Sequence, residues 1–367
     1  MKVALVYDRV NKWGGAERVL LALKKIFPSA HLYTSVLSLK GAPWSKDFQI
    51  IKTSFLQDFP FSSHHELYAT LMPLAFESFD FAKYDLVISV TSESAKGIIT
   101  KPGTKHFCIC LTPTRYLWSG YEQYFRNSIL RFISKPIVSY LRNWDKIAAQ
   151  RPDIFIAISD EVQKRIKKYY GRDSKVIYPS VSLVQGSPAS QKLQRGEKFK
   201  VQNEPRGSYF LVVSRLVPYK RVDLAIKACN KLKLPLKIIG KGSQELFLKL
   251  ISGSTIEFLG NVSDSELIFY YRNCQALIFP GREDFGLSMA EAQSMGKPVI
   301  AFRGGGAIDI IKEGKTGEFF NKQDVNSLTS LLEKWDNKRY NSSLCIENAQ
   351  RFSYQNFKQE FLKGLNI

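Results

Sequence analysis

Two glutamates, Glu283 and Glu291, stand eight residues apart in a segment whose surroundings suit a ligand site. An apolar run at 276–279 precedes Glu283, and a stretch rich in small residues surrounds Glu291. This pattern predicts a buried strand, a loop that carries the first carboxylate, and a helix that carries the second on its first turns. In an open α/β sheet, ligands bind where strands end and such loops begin. Two solvated glutamates on a surface helix would show the same spacing, so the spacing alone leaves both interpretations open.

Two cations, Arg215 and Lys220, follow an apolar run at 209–214 in the same way. A guanidinium and an ammonium at the end of a strand can neutralise the charge of a diphosphate that leaves from that place. Pro218 lies between them and makes the loop more rigid. A solvated basic loop is the alternative interpretation, and these residues taken alone do not exclude it.

A glycine pair, Gly14 and Gly15, follows a strand candidate at 3–7 and precedes a helical pattern. Glycine lets the backbone come close to a ligand, and the start of a helix presents free N–H groups and the positive end of its dipole. The pair therefore suits an anion such as a diphosphate, although a plain turn is also compatible with it. It does not match the G-x-G-x-x-G dinucleotide fingerprint.

Two more glycine loops follow strand candidates. The glycines at 304–306 come after the run at 299–302, and Gly240 with Gly242 comes after the run at 236–239. Such loops indicate either a close approach of the backbone to a partner or a tight turn. All of these loops are predicted to lie at the same edge of their sheets.

The elements that would position these residues alternate between short apolar runs and helical patterns. Strands are predicted at 3–7, 86–90, 106–111, 154–158, 209–214, 236–239, 256–259, 276–279 and 299–302. Helices are predicted at 16–26, 160–169, 222–232, 243–250, 264–272, 288–295 and 354–365. This alternation predicts an α/β protein with parallel, doubly wound sheets.

A polar segment at 185–207, which contains Gly and Pro and lacks an apolar period, separates the two series and is predicted to be a linker. The first domain would then span 1–184 and the second 208–352. The helix within 353–367 is predicted to pack back on the first domain. A length of 367 residues agrees with two domains, since it exceeds what a single hydrophobic core usually supports.

The composition is that of an ordinary globular protein, with 44% hydrophobic and 23% charged residues. No apolar run is long enough for a membrane span, and the acidic Asp8 follows the first apolar run too soon for a signal peptide. The five cysteines have neither metal-site nor disulfide spacing. These features predict a cytoplasmic protein.

The net charge of +20 would attract anions such as nucleic acid, anionic lipid or phosphorylated substrates, unless it only reflects a basic proteome. Within 125–151, six Lys or Arg residues and one acid alternate with large apolar residues, and Pro136 is predicted to kink or split a helix there. A basic amphipathic helix can lie on an anionic membrane surface, but a core helix with a solvated back has the same pattern. No nucleic-acid-binding signature is present, so no nucleic-acid partner is expected.

Several motifs together resemble those of a known enzyme family. Those in the second half are Ser214-Arg215-x4-Lys220, Gly240-x-Gly242, Phe258-Leu259-Gly260-x-Val262-x-Asp264-x-Glu266-Leu267 and Glu283-x-Phe285-Gly286-x4-Glu291. In this order they resemble the carboxyl-terminal half of family 4 glycosyltransferases of GT-B fold. The first half resembles the mannosyltransferase-like branch of bacterial surface-polysaccharide biosynthesis, through Gly14-Gly15-Ala16-Glu17 and Thr112-Pro113-x-Arg115-Tyr116. The resemblance implies two Rossmann-like domains that face each other across a cleft, the first for the acceptor and the second for a nucleotide sugar.

The resemblance also implies a reaction and its residues. The reaction is a retaining transfer of a hexose, with mannose as the first expectation, from a GDP- or UDP-linked donor to a glycan or lipid-linked acceptor. Arg215 and Lys220 would hold the diphosphate and stabilise its charge as it leaves, and Glu283 would contact the hexose. The other donor-binding residues implied are Glu291 at the ribose, Gly260 and Val262 at the base, the backbone of Phe285, Gly286 and Leu287 at the sugar and phosphate, and Gly14 and Gly15 at the cleft.

The family mechanism implies no cofactor and no metal, because the cationic pair takes the place of Mg²⁺. The leaving phosphate oxygen itself would accept the proton of the acceptor. The resemblance to enzymes of surface-polysaccharide biosynthesis also implies a place at the cytoplasmic face of the cell membrane, where the segment 125–151 would dock.

One position departs from the family pattern. Related sequences often carry histidine where this chain has Leu111, and leucine cannot hydrogen-bond to a donor sugar. The identity of the hexose therefore stays open, and so do two other functions: a nucleotide-sugar epimerase of similar architecture and a nucleotide-sugar-binding protein without activity. No role is assigned to the four histidines, and His106 is predicted to be a strand residue.

Overall fold

The structure, a computed structural model, describes residues 1–60, 68–125, 127–181 and 208–365. The chain divides into two compact units, one made of Met1–Tyr178 with Glu360–Ile367 and the other of Pro179–Gln359. The boundary between Gln359 and Glu360 falls inside the C-terminal helix, so the end of this helix belongs to the first unit. There Phe361 is fully buried, and its ring packs edge-on against Phe27 at a centroid distance of 6.5 Å. The predicted linker at 185–207 lies outside the described residues.

The first unit contains a parallel sheet that has seven strands in the described part of the chain, in the order β3-β2-β1-β4-β5-β6-β7. Its strands are β1 (Val3–Tyr7), β2 (His31–Thr34), β3 (Ile51–Thr53), β4 (Leu86–Thr91), β5 (Lys105–Cys110), β6 (Ile154–Ala157) and β7 (Lys175–Val176). β1 and β4 are buried along their whole length, as expected for central strands of a sheet covered on both faces.

The helices of the first unit are α1 (Gly15–Ile26), α2 (Met72–Glu77), α3 (Tyr121–Tyr124), α4 (Ser128–Ala148) and α5 (Asp160–Tyr170). One hydrophobic core joins α2 to the sheet, because Ala75 and Phe76 pack with Val6 and Val87. α5 begins at a capped end, where the Ser159 side chain accepts a hydrogen bond from the backbone N–H of Val162.

Helix α4 runs without interruption through Pro136. Of the two outcomes predicted for Pro136, a kink or a split, the split is therefore wrong, and the kink stays a prediction. The proline lies on the exposed side of the helix, so its ring and the carbonyl left without an amide partner face solvent. Asn127 caps the helix by accepting a hydrogen bond from the backbone N–H of Ile129 at 2.8 Å.

The second unit contains a parallel sheet with the order β10-β9-β8-β11-β12-β13 over its described residues. Its strands are β8 (Phe210–Val213), β9 (Leu236–Ile239), β10 (Ile256–Gly260), β11 (Leu277–Phe279), β12 (Val299–Phe302) and β13 (Gly317–Phe320). The helices that follow these strands are α6 (Val222–Leu232), α7 (Glu245–Leu250), α8 (Asp264–Asn273), α9 (Leu287–Ser294), α10 (Ala307–Ile310), α11 (Val325–Glu333), α12 (Ser342–Ala349) and α13 (Tyr354–Leu365). The core of this unit includes Phe210, Ile226, Ile278 and Leu328.

Each sheet has one point at which the strand order reverses. In the first unit the chain proceeds outward from β1 through β2 to β3 and then returns to β4 on the other side of β1. In the second unit the same reversal places β11 beside β8. Open α/β sheets bind ligands outside the carboxyl ends of the two strands at such a reversal. The topology therefore selects the loops after β1 and β4 in one unit and those after β8 and β11 in the other.

Among the described residues, no helix is both long and apolar enough to cross a membrane.

Candidate functional site

The reversal point of the second sheet brings Lys220 and Glu283 together. Lys220 ends a short turn in the loop after β8, Pro218–Lys220, and Glu283 lies in the loop after β11. The Lys220 Nζ atom is 2.5 Å from Glu283 Oε1, and only 13% and 16% of the two side chains are exposed. The rings of Tyr219 and Phe279 lie 5.5 and 5.6 Å from the ammonium. The two side chains thus form an ion pair with little exposure to solvent.

Gly281 makes this close approach of the two loops possible. A Cβ atom at this position would lie 3.0 Å from both Cα and the carbonyl oxygen of Lys220. Any side chain here would push the loop after β11 away from the loop after β8. The Pro280-Gly281 dipeptide before Glu283 therefore has a packing role of its own.

Arg215 lies in the same loop as Lys220, with its side chain exposed. Its Nη2 atom donates a hydrogen bond to the hydroxyl of Tyr219 at 2.8 Å. The guanidinium therefore has a defined support and still faces solvent. An exposed cation and a half-buried cation in one loop are suited to the two phosphates of a diphosphate.

Glu291 is a buried carboxylate on the second turn of α9, with 3% of its surface exposed. The hydroxyl of Tyr271, itself fully buried, donates a hydrogen bond to Glu291 Oε2 at 2.8 Å. The first carboxylate of the sequence motif is thus half-buried and paired with a cation, whereas the second is buried and oriented by a phenol. Such different surroundings favour different roles for the two glutamates.

Phe285, Gly286 and Leu287 form the start of α9. Gly286 has a φ of +94°, which favours glycine, and no side chain caps the helix. The first turn contains no acidic residue, so the N–H groups and the positive dipole end at this place are not compensated by a carboxylate of the helix itself. Phe285 is 3% exposed, and its ring packs edge-on against Phe352.

The glycines at 304–306 pack the loop after β12 against the loop that carries Glu283. A Cβ atom on Gly305 would lie 2.1 Å from the carbonyl oxygen of Glu283, and one on Gly306 would lie 2.3 Å from that of Phe285. The backbone N–H of Gly306 donates a hydrogen bond to the Glu283 carbonyl at 2.9 Å. The partner that these glycines allow to come close is therefore the neighbouring loop.

Gly240 and Gly242 support the loop after β8 in the same way. Their Cβ atoms would lie 1.9 Å from the carbonyl oxygen of Ser214 and 2.3 Å from that of Leu216. The Gly240 N–H also donates to the carbonyl of Gly260 at 2.8 Å, which joins the end of β10 to the same surface. The backbone packing of the loops after β8, β9, β10, β11 and β12 thus forms one continuous edge.

The two residues predicted at the base, Gly260 and Val262, lie at the end of β10 on this edge. Gly260 has a φ of +65°, and Val262 is half-buried. The next helix begins with a capping box, in which Glu266 accepts a hydrogen bond from the Ser263 N–H at 2.8 Å and Ser263 accepts one from the Glu266 N–H at 3.3 Å. This cap fixes where the chain turns after Val262.

Gly14 and Gly15 lie in the first unit, where α1 begins at Gly15 with Gly14 as its N-cap. A Cβ atom on Gly14 would lie 3.1 Å from Glu17 Oε2. Glu17 is buried, and the Tyr7 hydroxyl donates a hydrogen bond to its Oε1 at 2.6 Å. Burial and the neighbouring Glu17 raise the pKa of Tyr7 well above its usual range.

The sequence analysis did not identify Asp8, which organises the reversal point of the first sheet. Asp8 is 3% exposed and accepts hydrogen bonds from the Thr91 hydroxyl and from the backbone N–H groups of Ser92, Glu93 and Ala95, at 2.7–3.0 Å. It thereby fixes the loop after β4 to the end of β1. The signal available in the sequence was an acid placed directly after the first buried strand.

A buried ion pair between Lys96 and Asp145 was also missed. The Nζ–Oδ1 distance is 2.5 Å, and each side chain is 1% exposed. Asp145 also accepts hydrogen bonds from Thr114, Trp118 and Tyr170, so the charge of this carboxylate is well compensated. The pair joins α4 to the loop after β4. Its partners come from distant parts of the chain, which single-sequence patterns do not reveal.

Leu111, the position that departs from the family pattern, follows β5 and is half-buried. Its backbone N–H donates to the Thr91 carbonyl at 2.8 Å, so its place in the fold is fixed by the backbone. His106 lies in β5 as predicted and is 1% exposed. Within the described part of the chain, no group of three or more His, Cys, Asp or Glu residues is arranged as a metal site.

Comparisons with known proteins agree with this architecture. Residues 194–356 match the family model described as "Glycosyl transferases group 1". The uncharacterized glycosyltransferase MJ1178 of Methanocaldococcus jannaschii is 30% identical over 218 residues, which is 58% of this chain and 58% of that protein. The aligned part thus spans less than two thirds of this relative.

Two solved structures share the fold over the whole chain. Anabaena Alr3699/HepE in complex with UDP-glucose has a TM-score of 0.70 at 19% identity, with 100% of both chains covered. Sucrose-phosphate synthase from Thermosynechococcus elongatus has a TM-score of 0.73 at 15% identity, with 100% of this chain and 98% of that chain covered. The prediction of a GT-B protein with two Rossmann-like units is confirmed by this fold similarity. The chain thus has the GT-B fold, and the residues that match the glycosyl transferases group 1 model cover most of its second unit.

Proposed function

We propose that the protein is a retaining glycosyltransferase that moves a hexose from a nucleotide-diphosphate sugar to a glycan or lipid-linked acceptor. The observation that supports this most is the Lys220–Glu283 pair at the reversal point of the second sheet, with Arg215 in the same loop. A carboxylate paired with one cation, and a second cation in the same loop, suit a ligand that is anionic at one end and rich in hydroxyls at the other. The family match covers the same loops.

In this proposal each site residue has a separate task. Arg215 and Lys220 bind the diphosphate and stabilise the negative charge that grows on it as the bond to the sugar breaks. Glu283 accepts hydrogen bonds from the hexose hydroxyls, and Glu291 does so from the ribose. The uncapped start of α9 at 285–287 adds N–H groups to the sugar and phosphate, and Gly260 and Val262 border the base.

The bond changes balance without a protein nucleophile. The acceptor oxygen forms a bond to the anomeric carbon on the face that the diphosphate leaves, so the configuration is retained. The bond between the anomeric carbon and the phosphate oxygen breaks, and this oxygen takes the proton of the acceptor hydroxyl. The products are the glycosylated acceptor and a nucleoside diphosphate. No cofactor or metal enters this scheme, because the two cations compensate the charge.

The chemistry of the buried residues favours transfer over epimerisation. An epimerase needs acid and base groups around the hexose. All five cysteines are buried, and burial raises the pKa of Cys108, Cys229 and Cys274 to about 12. Burial, with Arg172 and Arg151 nearby, lowers the pKa of His106 to about 3. None of these groups is suited to exchange protons with a sugar at neutral pH.

We further propose that the first unit rests on an anionic membrane surface through α4. Its apolar face is formed by residues three, four or seven apart that are 50–80% exposed: Ile129, Phe132, Ile133, Ile137 and Tyr140. Two exposed cations, Lys135 and Lys146, follow one flank of the same helix, where Arg131 and Arg142 instead donate hydrogen bonds to the carbonyls of Phe125 and Leu117. Apolar side chains can enter the boundary between headgroups and acyl chains while the cations meet anionic headgroups. Such a position suits a lipid-linked acceptor of surface-polysaccharide biosynthesis at the cytoplasmic face.

A screen of nucleotide sugars by thermal shift tests the donor part of the proposal. A ligand that binds only the folded protein raises the melting temperature, and a nucleotide sugar that binds well should stand out among GDP-mannose, UDP-glucose, UDP-galactose and UDP-N-acetylglucosamine. GDP-mannose is the first expectation. The screen is run with EDTA present. Binding and turnover under these conditions also test the proposal that the reaction needs no metal. A melting temperature that no donor raises above that of the ligand-free protein would contradict the proposal. Binding without turnover on any acceptor would favour a binding protein.

A further inference from the structure

Trp13 is a large aromatic residue that the fold leaves exposed at the carboxyl edge of the first sheet. It lies in the loop between β1 and α1, one of the two loops selected by the reversal of strand order, and 50% of its surface is exposed. Tryptophan is usually much more buried than this. Its neighbours in the chain, Lys12 and Gly14, offer no apolar side chain that would continue the patch.

A second tryptophan supports the ring of Trp13. The ring centroids of Trp13 and Trp44 are 6.3 Å apart, with an angle of 54° between the planes. Trp44 is itself held in place, because its Nε1 donates a hydrogen bond to the Lys12 carbonyl at 2.8 Å and its ring packs edge-on against the buried Phe48. Trp13 therefore rests on a fixed aromatic base.

The loops that carry the two tryptophans are packed backbone to backbone. The Val10 N–H donates to the Val36 carbonyl at 2.9 Å, and the Ser38 N–H donates to the Val10 carbonyl at 2.8 Å. A Cβ atom on Gly41 would lie 2.2 Å from the Asn11 carbonyl oxygen, so only glycine fits there. The position of Trp13 is thus set before any ligand binds, which lowers the entropic cost of binding.

We propose that Trp13 is a stacking surface for a sugar ring of the acceptor. A pyranose ring has one face of C–H groups, which suits the π face of an indole, and a rim of hydroxyls, which suits the polar surroundings of this loop. This assignment rests on the proposed function, since it takes the sugar of the donor to be held by the second unit. Trp13 then contributes to the recognition of the acceptor and takes no part in bond breaking.

The kinetic test compares Trp13→Ala and Trp13→Phe with the unchanged protein. Trp13→Ala should raise the KM for the acceptor about tenfold, because one stacking contact is lost, and Trp13→Phe should recover part of that loss. The rate of donor hydrolysis by water and the Kd for the nucleoside diphosphate should not change. Leu74→Ala is the matched control, since Leu74 is 56% exposed on α2 of the same unit. An unchanged acceptor KM in Trp13→Ala would overturn the proposal.

A binding test separates this proposal from the proposed function. Methyl glycosides of mannose, glucose, galactose and N-acetylglucosamine are titrated into the full chain without donor while tryptophan emission is recorded. At least one should shift the emission, and the shift should be absent in Trp13→Phe. If no donor is turned over but this shift occurs, the stacking surface stands and the transfer reaction fails. A shift that occurs only with phosphatidylglycerol vesicles would mean that Trp13 meets lipid, and the proposal would be wrong.

Discussion

The ion pair between Lys220 and Glu283 places an ammonium beside a carboxylate where little of either side chain is exposed, and burying either charge alone would be costly. Removing one partner of a fully buried pair costs about 3–5 kcal/mol. The cost here is expected to be smaller, because 13% and 16% of the two side chains remain exposed. In the proposed function, a diphosphate that arrives at this site would compete with Glu283 for the ammonium. The carboxylate would then become available to the hydroxyls of the hexose, which would link binding of the phosphates to placement of the sugar.

His106 gives a prediction about stability at the residue scale. Its ring is buried in β5, where Nε2 is 2.8 Å from the Ser89 hydroxyl and Nδ1 has no hydrogen-bond partner. Burial, together with Arg172 and Arg151, lowers the pKa of His106 to about 3, so the ring stays neutral in the folded protein while the unfolded chain takes up a proton near pH 6.5. The stabilisation is therefore complete above pH 6.5 and is lost as the pH falls toward 3. Between pH 7 and pH 5 the loss from this residue should be about 2 kcal/mol.

Urea unfolding at several pH values measures this effect. The free energy of unfolding of the unchanged protein should fall by about 2 kcal/mol between pH 7 and pH 5, a range above the titration of most carboxylates. In His106→Asn most of this dependence should be gone, even if the variant is less stable at pH 7. The same pH dependence in both proteins would show that His106 is not the group that titrates.

At the scale of elements, the glycine loops hold the site together, and Gly305 tests this directly. Gly305 has a φ of +63°, and a Cβ atom there would lie 2.1 Å from the Glu283 carbonyl oxygen. Gly305→Ala should lower the transfer rate at least tenfold, because the loop with Glu283 must move. It should also cost about 1–3 kcal/mol of stability, measured by urea unfolding, through the strained backbone.

Gly314→Ala is the matched control for this substitution. Gly314 also has a positive φ, +73°, but a Cβ atom there would meet nothing closer than the Arg339 side chain at 3.9 Å. The control should lose about 1 kcal/mol of stability and keep the transfer rate. If both variants kept full activity, the loop after β12 would not position Glu283.

Helix α4 gives a second prediction at this scale. Phe132→Ser should weaken binding to vesicles that contain phosphatidylglycerol, because Phe132, at 80%, is the most exposed residue of the apolar face. Leu246→Ser is the control, since Leu246 is equally exposed, at 80%, but lies on α7 in the second unit. Cosedimentation with vesicles at low and high salt measures the effect. Equal binding to neutral vesicles, or an equal loss in both variants, would contradict docking through α4.

At the scale of the whole molecule, the alternation of apolar runs and helical patterns was enough to predict two α/β units, because both sheets are parallel and their central strands are buried on two faces. Four short strands of two to four residues are absent from the prediction, because so few residues show no clear period: β2, β3, β7 and β13. The sequence left a kink and a split at Pro136 both open, because only the fold shows that this side of the helix faces solvent. How the two units face each other across a cleft stays a prediction.

The site was predictable as a set of loops but not as a set of contacts. Arg215, Lys220 and Glu283 follow strands, and the sheet order then places two of these loops side by side. The glycines at 304–306 could not be assigned from sequence, since the backbone that they approach is more than fifteen residues away, at Glu283 and Phe285. The buried partner of Glu291, Tyr271, was missed for the same reason. Long-range packing decides such pairs, and local sequence patterns do not contain it.

The most direct test of the central claim is the release of nucleoside diphosphate from GDP- and UDP-hexoses by the unchanged protein and by Glu283→Ala. The unchanged protein should release the diphosphate from at least one donor. Glu283→Ala should release it at least a hundredfold more slowly, about 2.7 kcal/mol in the barrier, while its Kd for the diphosphate stays within about threefold. Glu257→Ala, which removes the half-exposed partner of Lys237 in the same unit, should behave like the unchanged protein. Full activity in Glu283→Ala, or no release from any donor by the unchanged protein, would contradict the account.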